Sequence, residues 1–74
     1  MGKNYRHLTH QQRASIRKIA ARIYAAADGW NTIPLDIAEA RVRRWSIDTC
    51  LESFNDSHMD ELGFDPDTGE AWES

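Results

Sequence analysis

The stretch SIDTCLESFNDSHMDELG, residues 46–63, decides how the chain folds. Ile47, Cys50, Leu51, Phe54, His58, Met59 and Leu62 recur at three- and four-residue spacing. That is the stripe of an amphipathic helix, and the spacing predicts one over residues 47–62. Ser46 is suited to cap its start, with Asp48 in the first turn at the positive end of the helix dipole. Gly63 is suited to end it. Asp48, Glu52, Asp56, Asp60 and Glu61 fall on the outer face.

Upstream, Thr9-His-Gln-Gln12 reads as a capping box, Thr9 and Gln12 each able to bond the other's backbone N–H. Ile16, Ile19, Ala20, Ile23 and Ala27 then form a second apolar stripe, with Arg13, Arg17, Lys18 and Arg22 off it. Asp28-Gly29 is a stop signal, so a first helix is expected over residues 10–28. Pro34 disfavours helix at Ile33. Asp36-Ile-Ala-Glu39 looks like another capping box, and Leu35, Ala38, Val42 and Trp45 give a short helix over residues 35–45 an apolar edge. Arg41, Arg43 and Arg44 lie near its end, where the dipole favours cations.

Three such helices can bury their stripes only against one another. The expected fold is all-α, a small three-helix bundle over residues 9–62 whose second and third helices follow each other as in a helix-turn-helix. Residues 1–8 read as a basic N-terminal arm, and residues 63–74 as a mobile acidic tail that forms a short turn or hairpin. Trp30 and Trp45 are expected as lids or core members. Within the tail, Asp65-Pro-Asp-Thr-Gly69 is strong turn chemistry. Gly63–Gly69 resembles the opening of a designed mini-hairpin, Gly-Tyr-Asp-Pro-Glu-Thr-Gly-Thr-Trp-Gly, with Phe64 at the Tyr position. Here Ala71 is an extra residue before Trp72, which is expected to disturb the cross-strand aromatic register.

The chain has 74 residues and a net charge of −3, and that sum hides two opposed halves. All nine Lys and Arg lie before Ser46, against three acids, and the remaining nine acids follow it with no cation among them. Such asymmetry points to a charged partner, although solvated faces of a bundle would also show it. A core this small leaves little room for a substrate cleft. There is no Gly-rich phosphate loop, and no Ser or Cys with an evident base, so a non-enzymatic protein is expected. His7, His10, His58 and Cys50 are too scattered for a zinc set, and the Asp65 turn lacks the distal Glu of a calcium loop. No metal or cofactor is expected. Cys50, the single cysteine, reads as a buried hydrophobe in a reducing compartment. No apolar run nears the roughly 18 residues of a membrane span. A cytoplasmic protein without membrane contact or small-molecule substrate is the expectation.

Two binding classes remain. Tyr5-x-x-Leu8-Thr9-x-x-x-Arg13-x-x-Ile16, followed by Asp36-Ile-Ala-Glu-Ala40, resembles the opening of the N-terminal helix-turn-helix domain of insertion-sequence transposases. That resemblance implies DNA binding. Yet the would-be recognition helix carries Asp48, Glu52 and Asp56, which repel phosphate. Nucleic acid would then have to bind through the arm and the first two helices. The other class is a protein-binding regulator, because opposed fields steer and orient a docking partner. In size, cysteine poverty and separated charge the chain resembles small phage-encoded regulators that bind host RNA polymerase. That resemblance implies transcription inhibited or modified through the polymerase. The residues expected to meet a partner are Lys3, Tyr5, Arg6, Arg13, Arg17, Lys18, Arg22, Arg43, Arg44 and Trp72.

Overall fold

The structure is a computed structural model that describes residues 5–26 and 33–72. The described part is an all-helical bundle of four helices, α1 (His10–Ala26), α2 (Leu35–Val42), α3 (Ile47–Glu52) and α4 (Asp56–Leu62). The long α1 is the central element and packs against each of the other three. Of the predicted stripe Ile16, Ile19 and Ala20 are buried and Ile23 is partly buried, Ala27 lies outside the described residues, and Ala21 and Ala25 join the core in addition. Thr9 and Gln12 form the expected capping box, with bonds of 2.8 and 3.1 Å. The expected stop at Asp28-Gly29, and Trp30, lie outside the described residues.

The third predicted helix is two helices. Asn55 accepts from the backbone N–H of His58 at 3.1 Å, and His58 Nδ1 accepts from the Asn55 N–H at 3.2 Å. This second capping box, Asn-x-x-His, restarts the helix and so interrupts the stripe that periodicity joins across Ser53–Asn55. Ser53 closes α3 instead, its Oγ donating to the Cys50 carbonyl at 2.7 Å. The ends of the long reading stand: Ser46 caps α3 by accepting from the Thr49 N–H at 3.2 Å. Gly63 ends α4 in the left-handed region at φ 81°, a conformation glycine adopts at low cost.

The second helix starts at Leu35 as expected, but its cap and its far end differ. Pro34 is its N-cap, and the Pro34 carbonyl accepts from Ile37 and Ala38 at 3.1 Å. Asp36 is thus already inside the first turn, where it meets the dipole but does not cap. The far end tightens through Arg44 to Arg41 and Trp45 to Val42 backbone bonds of 3.1 and 2.8 Å. Trp45 therefore leaves the helix, half-buried, with its ring edge-on to Tyr24 at 5.4 Å.

The core runs through all these elements: Ile16, Val42 and Cys50 are its largest fully buried side chains. The N-terminal segment joins it, since Leu8 is buried beside a Tyr5–Leu8 turn. The C-terminal segment joins it too. Phe64 and Ala71 form an antiparallel bridge. Asp65 N–H donates to Glu70 O at 2.8 Å, and Trp72 N–H to Gly63 O at 3.1 Å. Asp65 organises the turn, its carboxylate accepting from the Asp67 N–H at 2.9 Å. The expected hairpin forms over residues 63–72, but it is laid on the N-terminal segment where a mobile tail was expected. His7 Nε2 bonds the Pro66 carbonyl at 2.8 Å, and Gln12 Nε2 donates to the Gly69 carbonyl at 2.9 Å. Phe64 and Pro66 are buried. The register is displaced by Ala71 as expected: Phe64 faces Ala71 across the bridge, and Trp72 is 43% exposed.

Candidate functional site: a cationic groove between two helices

The residues expected to meet a partner do not form one surface. Lys3 lies outside the described residues. Tyr5 is half-buried, and its hydroxyl donates to Asp48 at 3.2 Å. Arg6 is exposed. Arg13 turns back to donate to the Leu8 carbonyl at 3.1 Å, and this ties the N-terminal turn to α1. Arg22 pairs with Glu61 of α4. Both side chains are 47% exposed, so the pair contributes about 0–1 kcal/mol. It is one of the points where the basic and acidic halves touch. Arg44 is exposed beyond α2, and Trp72 lies on the hairpin.

Arg17, Lys18 and Arg43 are the three that the fold brings together. They line an open groove of about 410 Å³ between α1 and the end of α2, with Ala14 and Glu39 completing the walls. Local geometry explains the convergence. Ala14, Arg17 and Lys18 share one face of α1 at three- and four-residue spacing, and Glu39 and Arg43 share one face at the end of α2. Ala14 has the smallest side chain of the lining, and Lys18 and Arg43 are exposed.

Among the described residues, the side chains of Arg17, Lys18, Arg43 and Glu39 make no hydrogen bond or ion pair. Glu39 and Arg43 are four apart on one helical turn, a spacing that commonly pairs, and they do not pair here. Arg17 Nε is buried without an acceptor, as is Arg13 Nε outside the groove. A buried donor left unsatisfied costs about 1–3 kcal/mol. With Lys18 and Arg43 beside Arg17, and Glu39 the only acid in the lining, the groove carries a formal excess of positive charge. No family model, curated protein or solved structure matches the chain.

Glu39 and Ala14 were not among the residues expected at a site. Glu39 is hidden by its capping-box spacing, and it is Pro34 taking the cap position that leaves the Glu39 side chain to the groove wall. A smaller groove of about 240 Å³ lies between α1 and α4, lined in part by Lys18, Arg22 and Glu61. There Arg22 and Glu61 already pair, which leaves Lys18 as its one cation without an ion pair among the described residues.

The other chemistry-bearing side chains are absorbed by the fold. His58 serves the α4 cap. No group of three or more metal-ligating side chains converges among the described residues. No helix there is long and apolar enough to cross a membrane. Cys50 is fully buried. Burial pushes its thiol above the usual range, against smaller opposing effects from the Arg17 charge and a backbone hydrogen bond. The sign follows by linkage. The folded state holds the thiol proton more tightly than the unfolded chain. The resulting stability is fully present below the unfolded thiol pKa of about 8.5 and is lost as pH rises through the higher folded value. Urea unfolding from pH 7 to 10 is expected to show an alkaline loss of stability that is smaller in Cys50→Ala. Equal slopes in the two proteins would remove Cys50 from the account.

Proposed function

We propose that this chain is a non-enzymatic regulator that acts by docking on another protein, a component of the transcription machinery such as RNA polymerase. The reading is carried by the groove: three cations converge on a concavity with no internal partner for their charge. Long cationic side chains held together without anions are stabilised when a complementary surface arrives, and their field raises the rate of encounter. The acids of α3, α4 and the hairpin fix the sense of approach by repelling an anionic partner from the other elements.

A protein partner is favoured over duplex DNA. In a helix-turn-helix the second helix enters the major groove. Here that element is the six-residue α3, with Asp48 and Glu52 on it and no cation. Phosphate contacts supply most of the non-specific affinity for DNA, and α3 has none to give.

The test is retention of purified bacterial RNA polymerase on the immobilised chain. Stoichiometric capture at ~150 mM salt, together with reduced promoter-dependent transcription when free chain is added, is the expected result. No capture, with a salt-sensitive shift of duplex DNA in a gel, would overturn it in favour of DNA binding.

A further inference from the structure

The groove also constrains what it can hold. Its positive end groups come from Arg17, Lys18 and Arg43, and Ala14 has the smallest side chain of its lining. Glu39 stands on the same wall as Arg43. A uniform polyanion is attracted by three of these groups and repelled by the fourth. A polypeptide is not so limited, because it places carboxylates against the arginines and turns backbone N–H groups toward Glu39. The planar guanidinium groups of Arg17 and Arg43 match carboxylate geometry through paired N–H donors. Volume agrees: about 410 Å³ accommodates a few side chains, at the lower end of the range for sites that enclose small ligands.

We infer that the α1–α2 groove is the docking slot for an acidic peptide segment of the partner, whose carboxylates lie between Arg17, Lys18 and Arg43 and whose apolar side chains lie on Ala14. This rests on the protein-docking reading above and names the chemistry of its contact. Arg22 and Arg13 take no part, since Glu61 and the Leu8 carbonyl hold them.

The experiment is a titration of the full chain, followed by amide NMR shifts. The probes are a peptide alternating Glu and Leu, the same peptide with Gln for Glu, and a short duplex oligonucleotide. The Glu peptide is expected to move the signals of Ala14, Arg17, Lys18, Glu39 and Arg43, with affinity falling as salt rises. The Gln peptide is expected to bind at least tenfold more weakly. Lys18→Gln/Arg43→Gln, both exposed positions that leave the core intact, is expected to weaken the Glu peptide about tenfold or more. Arg22→Gln is expected to leave it unchanged. Equal binding of the two peptides, shifts confined to other residues, or tighter binding of the oligonucleotide in this groove would each overturn the inference.

The same variants separate this inference from the reading beneath it. RNA polymerase captured equally by the native chain and by Lys18→Gln/Arg43→Gln overturns the groove and leaves polymerase docking standing. Glu-peptide binding without polymerase capture overturns the polymerase and leaves the groove.

Discussion

Ile16→Ala is expected to remove about 2–5 kcal/mol of stability, the range for deleting a large aliphatic side chain from a packed core. Ile16 has no exposed surface and sits on α1, the element against which all three other helices pack. The lost methyl and methylene groups therefore open a cavity at the junction of the bundle, not at one of its edges. A chain of 74 residues has a total stability of only a few kcal/mol, so this change consumes most of it. Urea denaturation followed by far-ultraviolet circular dichroism is the measurement. The midpoint is expected to fall to low urea, with a slope close to native as long as a folded baseline survives. Lys18→Ala, on the exposed face of the same helix, is expected to stay within about 0.5 kcal/mol of the native chain. An Ile16→Ala loss below about 1 kcal/mol would mean that α1 does not carry the core.

The contrast between those two positions marks what can be read from the sequence. Alternation of apolar and charged residues along α1 reports burial directly, because one stripe faces one core. Caps at Thr9, Ser46 and Gly63 are equally legible, since each is a single side chain or a single backbone preference acting locally. The break at Ser53–Asn55 is not, because the apolar period continues across it and only the less familiar Asn-x-x-His box signals a restart. Pro34 as the cap of α2 is hidden by the stronger pattern Asp36-x-x-Glu39. The groove required knowing which face of α1 meets which face of α2. Arg17, Lys18 and Arg43 were legible as cations, but nothing in their spacing along the chain sets them apart from Arg13 and Arg22. It is the third dimension that gives Arg22 a partner in Glu61 and leaves the other three without one among the described residues.

Phe64→Ala is expected to be as damaging as the change at Ile16, about 3–5 kcal/mol, and to act on a segment that composition alone marks as a solvated tail. Phe64 is only 7% exposed and belongs to the same core cluster as Leu8, Leu62 and Ile16. A two-stranded hairpin is marginal in water by itself. The hairpin over residues 63–72 therefore depends on what it rests against: the buried Phe64 and Pro66, and the bonds that His7 and Gln12 make to its turn. Those two polar ties contribute roughly 1 kcal/mol each, less than the aromatic side chain. Amide hydrogen exchange resolves the point. In the native chain the N–H groups of Asp65, Gly69 and Trp72, all bonded within the hairpin, are expected to exchange slowly. In Phe64→Ala they are expected to exchange at close to the free-chain rate. Trp72→Ala makes the comparison sharp, because Trp72 is 43% exposed and its loss is expected to change stability by no more than about 0.5 kcal/mol. Fast exchange at Asp65 and Gly69 in the native chain would show that the acidic segment is a mobile tail after all. Slow exchange surviving Phe64→Ala would instead place the anchor in the His7 and Gln12 bonds.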